Sequence, residues 1–162
     1  MQKHNLSISY LQYHQASELP DTLGHLLEQA HKSLASSYAP YSQFHVGAAV
    51  LLENGIIVGG SNQENAAYPL GLCAERVALF AASSQYPGIK VKAVAITAHT
   101  DAFVIENPIS PCGACRQVMT EYENLHQQDI TIIIAGETGP ILVFENASSL
   151  LPFSFNNKNL AE

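Results

Sequence analysis

Three cysteines and one glutamate carry the clearest chemical signal in the sequence. Cys112-Gly113-Ala114-Cys115 is a C-x-x-C directly after Pro111, and Cys73-Ala74-Glu75 sets a carboxylate two residues beyond the third thiol. Proline favours the first turn of a helix, so the C-x-x-C opens one, and residues three apart on a helix share a face. The amino-terminal end of a helix stabilises thiolates through its unpaired N–H groups and its dipole. Cys73 sits at the start of another expected helix, so the same argument covers it. Three thiolates converging from two helix starts make a tetrahedral Zn²⁺ site with one open position, the pattern of catalytic rather than structural zinc. A C-x-x-C alone also fits a redox pair, although the usual thioredoxin-like setting is missing. A closed structural site needs a fourth ligand, and His99 and His126 stand apart from any finger-like spacing.

Glu75 discriminates among these readings. By itself it could be a carboxylate complementing a helix dipole. Beside an open zinc position, the same group can take a proton from water and return it to a substrate. The two arginines of the chain, Arg76 and Arg116, each directly follow part of the motif. A guanidinium hydrogen-bonded to a thiolate would draw off part of the charge that three sulfurs place on the metal. The plainer and less favoured alternative is that both are surface arginines at helix starts.

The elements that must position these groups follow from periodicity. From Leu19, the positions Leu23, Leu26, Leu27, Ala30 and Leu34 predict a helix, with Pro20 and Asp21 as start signals. Val46–Leu52, Asn54-Gly55 and Ile56–Val58 predict a hairpin with a type I′ turn, ended by Gly59-Gly60. A second helix over 73–84 is apolar almost all round and therefore expected to be buried on most sides. Val91–Ala98 reads as a buried strand, a third helix runs from Pro111 to about His126, and Ile130–Ala135 and Ile141–Phe144 read as an antiparallel pair. The order implies an α/β domain with a mixed sheet and helices on its faces. Residues 1–18 read as an N-terminal extension and 19–162 as one catalytic domain.

Composition bounds the partners. The chain has 162 residues, is 47% apolar and carries a net charge of -7. That fits one folded domain and argues against a broad phosphate-binding face, so no nucleic acid is expected as the main ligand. Charged residues are only 13% of the chain, against roughly 25% in a typical soluble domain, which suggests surface covered by other subunits. An odd cysteine count, no visible signal peptide and no apolar run near the ~18 residues that span a bilayer point to a cytoplasmic chain with reduced thiols and no membrane partner.

An x-Glu after the first ligand, followed by P-C-x-x-C, is the pattern of zinc deaminases, with the glutamate as acid/base rather than ligand. The sequence resembles, over roughly residues 20–156, the small homotetrameric cytidine deaminases. The resemblance is carried by YAPYSQFHVGAAV (38–50), NQENAAYPLGLCAERVAL (62–79), SPCGACRQVM (110–119) and LLPFSF (150–155). It implies a three-layer α/β/α fold around a five-stranded mixed sheet, Zn²⁺ on Cys73, Cys112 and Cys115, and Glu75 as proton shuttle. It also implies that Asn62 and Glu64 bind the ribose 3′-hydroxyl, that Phe44 packs on the pyrimidine, and that the Ala74 N–H meets the base carbonyl. Tyr68 and Phe155, with Phe153 as a rival, match positions that reach a neighbouring subunit's site.

The implied reaction is hydrolytic deamination of cytidine and 2′-deoxycytidine in pyrimidine salvage, by a homotetramer with sites at its interfaces. The competing expectations are a deaminase of another cytosine nucleoside such as blasticidin S, and a non-catalytic zinc-binding module that only assembles. Two positions depart from the common pattern: His45 stands where proline is usual, and Gln63 where isoleucine or valine is usual. Neither removes a group the chemistry needs.

Overall fold

A computed structural model describes residues 1–156 and residue 160. Among the described residues, three α-helices flank a six-stranded sheet ordered β1-β6-β5-β4-β2-β3, where β1 is Leu11–Tyr13, β2 His45–Leu52, β3 Ile57–Ser61, β4 Val91–His99, β5 Thr131–Ile134 and β6 Ile141–Phe144. Only β4 and β5 run parallel, because α3 (Gly113–His126) forms the crossover between them; the other neighbours are antiparallel. The sheet is mixed, as expected. It has six strands rather than five, the additional one being β1, which pairs with β6 from Leu11↔Val143 to Tyr13↔Ile141. Three residues are too few to show a period of two, so this strand has no signature in the sequence.

Alternation along the strands separates two cores. On one face, α1 (Asp21–Ser33) buries Leu26, Leu27 and Ala30 against Ala49, Ala95 and Ile133. On the other, α2 (Ala74–Gln85) and α3 bury Ala78, Leu79 and Met119 against Ala48, Val50 and Ile96. The layers are therefore α/β/α. Within one chain α2 is buried along a stripe rather than all round, and Phe80 faces outward.

Two local expectations are corrected. The Asn54-Gly55 hairpin forms, but only Gly55 has positive φ (85°), and Gly55 N–H donates to Leu52 O at 3.0 Å. This is a three-residue loop closed by a left-handed glycine rather than a type I′ turn. Gly59 and Gly60 do not end the second strand; they lie inside β3. The reason is close approach: a Cβ on Gly60 would stand 2.5 Å from Ala78 N and 2.8 Å from Ala74 O, so only glycine lets α2 seat on the sheet.

Candidate active site

Cys73 and Cys112 are the residues immediately before α2 and α3, and Cys115 lies in the first turn of α3. The sheet brings the two helix starts together. The Cys73–Cys112 sulfur separation is 3.7 Å and the Cys112–Cys115 separation 3.4 Å. All three sulfurs lie within 4.8 Å of one another. Zn–S bonds of about 2.3 Å in a tetrahedron imply sulfur–sulfur edges of about 3.8 Å, so the donor set and its spacing fit Zn²⁺. Cys115 is buried, Cys73 half-buried and Cys112 exposed, which closes the site on one side and opens it on the other.

Electrostatics distribute the charge unevenly. The Cys73 thiol is lowered to about 5, first because the Cys115 thiol hydrogen-bonds to it, with Arg76 adding to the effect. Cys115 is pushed up by the same contact and by burial. Arg76 Nη2 donates to Cys73 Sγ at 3.5 Å, as the sequence suggested. Its Nε is buried with no partner among the described groups. Glu75 is 4% exposed, and burial is the main cause that holds its carboxyl above the ordinary carboxylate range.

A cavity of about 450 Å³ opens over these groups, and Cys73, Cys112, Glu75, Phe44, Asn62 and Glu64 line it. Residues 62–64 reach it through a short patch of backbone pairing. Tyr38 N–H donates to Asn62 O, Glu64 N–H to Tyr38 O, and Gln63 exchanges both its bonds with Leu72. The side chain of Glu64 then accepts the N–H groups of Tyr41 (2.9 Å) and Ser42 (3.2 Å) at Oε2, binding the 41–44 loop to the cavity edge. Hydrogen bonding, first from the Ser42 side chain, keeps the Glu64 carboxyl below its ordinary value.

Residues 21–127 match the family described as the cytidine and deoxycytidylate deaminase zinc-binding region. The chain belongs to this family. Over 137 residues it is 40% identical to the cytidine deaminase of Sporosarcina psychrophila, covering 84% of this chain and 93% of that one. It is equally similar, at 40% over 136 residues, to the cytidine deaminase of Halalkalibacterium halodurans, covering 83% and 95%. The crystal structure of cytidine deaminase from Burkholderia pseudomallei is similar at 41% identity and a TM-score of 0.70, covering 81% of this chain and 97% of that one. Zn²⁺ is the cofactor of this deaminase family, and the matched region contains all three thiols.

One of the expected site residues differs from the sequence reading. Arg116 does not reach a sulfur. Its Nε donates to Pro111 O at 2.8 Å and its Nη1 to Leu150 O at 3.0 Å, so it clamps the segment entering α3 onto the C-terminal segment. Tyr68, expected to reach a neighbouring subunit, is exposed at the edge of the cavity, where it packs edge-on against Tyr41. Phe155 is exposed and lies outside the cavity lining; Gln117 holds its backbone through both amide atoms. Phe153 is exposed as well. Ala74 is the first residue of α2, where backbone N–H groups lack a helical partner. Two histidines outside the site have structural partners: His99 lies between Glu137 and Asp101, and His126 Nδ1 accepts from Val91 N–H.

The sequence reading missed the supporting cast. Ser37, Ser42, Ile109 and Ser110 border or brace the cavity without standing out from ordinary loop residues. Ser42 lies within the 38–50 segment, where the residue type alone says nothing about capping Glu64.

Proposed function

We propose that this chain is a zinc-dependent hydrolase that converts cytidine and 2′-deoxycytidine to the uridine nucleosides and ammonia, in cytoplasmic pyrimidine salvage. One observation carries the reading. Two of the metal-binding thiols and a buried glutamate form the floor of a cavity whose rim holds an amide, a carboxylate and an aromatic ring. Family membership and the names of the relatives support the same chemistry.

Held by Cys73, Cys112 and Cys115, Zn²⁺ would supply the Lewis acidity that makes water a nucleophile near neutral pH. Glu75 takes the proton of the attacking water and passes it to ring N3 as C4 becomes tetrahedral. It then moves the C4 hydroxyl proton to the amine, which leaves as ammonia as the C4 carbonyl forms. A carboxyl raised by burial suits both directions of transfer. The Ala74 N–H orients the base carbonyl, Phe44 packs on the ring, and Asn62 with Glu64 binds a ribose hydroxyl, a group that donates and accepts. Arg76 draws charge from Cys73.

The reading includes a homotetramer whose interfaces complete the sites, with Phe155 or Phe153 reaching a neighbour. Exposed Tyr68, Leu70, Leu72 and Phe80, on a chain with only 13% charged residues, support assembly. No described helix is long and apolar enough to cross a membrane.

The test is ultraviolet detection of uridine from cytidine by the zinc-loaded protein, with Glu75→Gln as control. The variant is expected to keep one zinc per chain and lose turnover by at least about a thousandfold. Wild-type protein that binds zinc yet turns over neither cytidine nor deoxycytidine would defeat the proposal. Turnover of blasticidin S alone would move it to another nucleoside.

A further inference from the structure

Asn62 has its hydrogen bonding defined on every side but one. Its Oδ1 accepts from Val46 N–H at 2.8 Å and from the Ser37 hydroxyl at 2.6 Å, while Nδ2 donates to Phe44 O at 2.8 Å. A backbone N–H can only donate and a backbone carbonyl can only accept, so the amide has one possible orientation. Both lone pairs of Oδ1 are engaged. Asn62 therefore presents to the cavity a single function, the second hydrogen on Nδ2.

The direction of the bonds behind Asn62 is also determined. Ser37 has one hydroxyl proton, and it goes to Oδ1. Its oxygen must then accept from His45 Nδ1, which lies 3.0 Å away, so that nitrogen carries a hydrogen. Neither Ser37 nor His45 lines the cavity. His45 is a position where the sequence departs from the common pattern. Gln63, the other departure, braces the same segment by donating from Nε2 to Ser36 O at 3.2 Å and to Ser61 Oγ at 3.1 Å.

We propose that His45 and Ser37 are positioning residues that lock Asn62 as a pure hydrogen-bond donor, so that this side of the cavity selects a sugar hydroxyl accepting from Asn62 while donating to Glu64. The proposal rests on the nucleoside reading above. A carboxylate only accepts, so Glu64 supplies the complementary half. A hydroxyl satisfies both partners at once; a hydrogen satisfies neither. If Ser37 is removed, Oδ1 regains an open lone pair, so Asn62 is no longer donor-only, and the amide loses one of the three bonds that hold it.

The experiment compares cytidine with 3′-deoxycytidine in wild type, Ser37→Ala, Ser37→Thr, His45→Phe and His45→Asn, with a melting curve for each. Ser37→Ala and His45→Phe are expected to raise KM for cytidine about three- to tenfold with kcat nearly unchanged, the loss of one oriented hydrogen bond. Kinetics with 3′-deoxycytidine should not change, so preference for the 3′-hydroxyl shrinks by the same factor. Ser37→Thr, and His45→Asn with its amide N–H near the position of Nδ1, should restore it. Equal losses on both nucleosides, or no loss, would overturn the proposal. Wild type that turns over neither nucleoside would instead refute the deaminase reading. Calorimetric binding of both nucleosides to Glu75→Gln, with and without Ser37→Ala, then tests the relay separately, and a discrimination that Ser37→Ala leaves unchanged would overturn it.

Discussion

The two helices that deliver the thiols are held in place by different physics. α2 sits on the sheet by close apolar approach, its Ala74–Ala78 turn packed directly over Gly60. α3 is tied at both ends by charged side chains. Arg116 joins its start to Leu150 O, and near its end the buried Glu123 accepts from Ile130 N–H (2.9 Å), Ala147 N–H (2.6 Å) and Ser148 N–H (2.9 Å). The same C-terminal segment thus receives α3 twice, through carbonyl and N–H groups. The arginines following the two ligand motifs part company for this reason. Arg76 is left free to turn onto a sulfur, whereas Arg116 is taken up by scaffold.

The contrast can be broken most forcefully at Glu123. Glu123→Ala would orphan three backbone N–H groups, two of them fully buried. It is expected to lower stability by about 3–5 kcal/mol, measured by urea denaturation. Glu123→Gln, which keeps one accepting oxygen, should cost about 1–2 kcal/mol. Equal, small effects from both would mean that α3 is held by packing after all.

Gly60→Ala tests the other helix. The new methyl would meet backbone atoms of α2, which cannot swing aside as a side chain can. A loss of about 1–3 kcal/mol is expected, together with weaker zinc binding in a competition titration, because Ala74 adjoins Cys73. An unchanged zinc affinity would show that the position of Cys73 is insensitive to the seating of α2.

The arginines give the smallest and most discriminating effects. Arg76→Ala should weaken zinc binding or turnover about 10- to 100-fold, the range for groups that tune a metal ligand, with little change in melting temperature. Arg116→Ala should do the reverse, lowering the melting temperature with zinc affinity per folded chain preserved. If both variants behave alike, the two arginines do not divide metal tuning from scaffolding.

Legibility in the sequence follows the same divide. The motif C-A-E and the P-C-x-x-C are local, and helix-start preferences act over a single turn, so Cys73, Glu75, Cys112 and Cys115 were readable before any fold. Long apolar runs likewise marked β2, β4 and β5. Gly59-Gly60 reads as a stop in the sequence because the meaning of these two glycines lies in what packs above them. The partners of Arg116, Glu123 and Asn62 were invisible, since each bonds to backbone far away in sequence.

Taken alone, the sequence determined the chemistry of the site and the layered class of the fold. Metal-ligand types and helix signals are properties of neighbouring residues, and hydrophobic period reports which face must leave water. Tertiary structure alone decided the sixth strand, the separate fates of Arg76 and Arg116, and the donor-only state of Asn62. Hydrogen bonds are short and directional, so which groups satisfy one another depends on positions set to within an ångström by the whole packed chain.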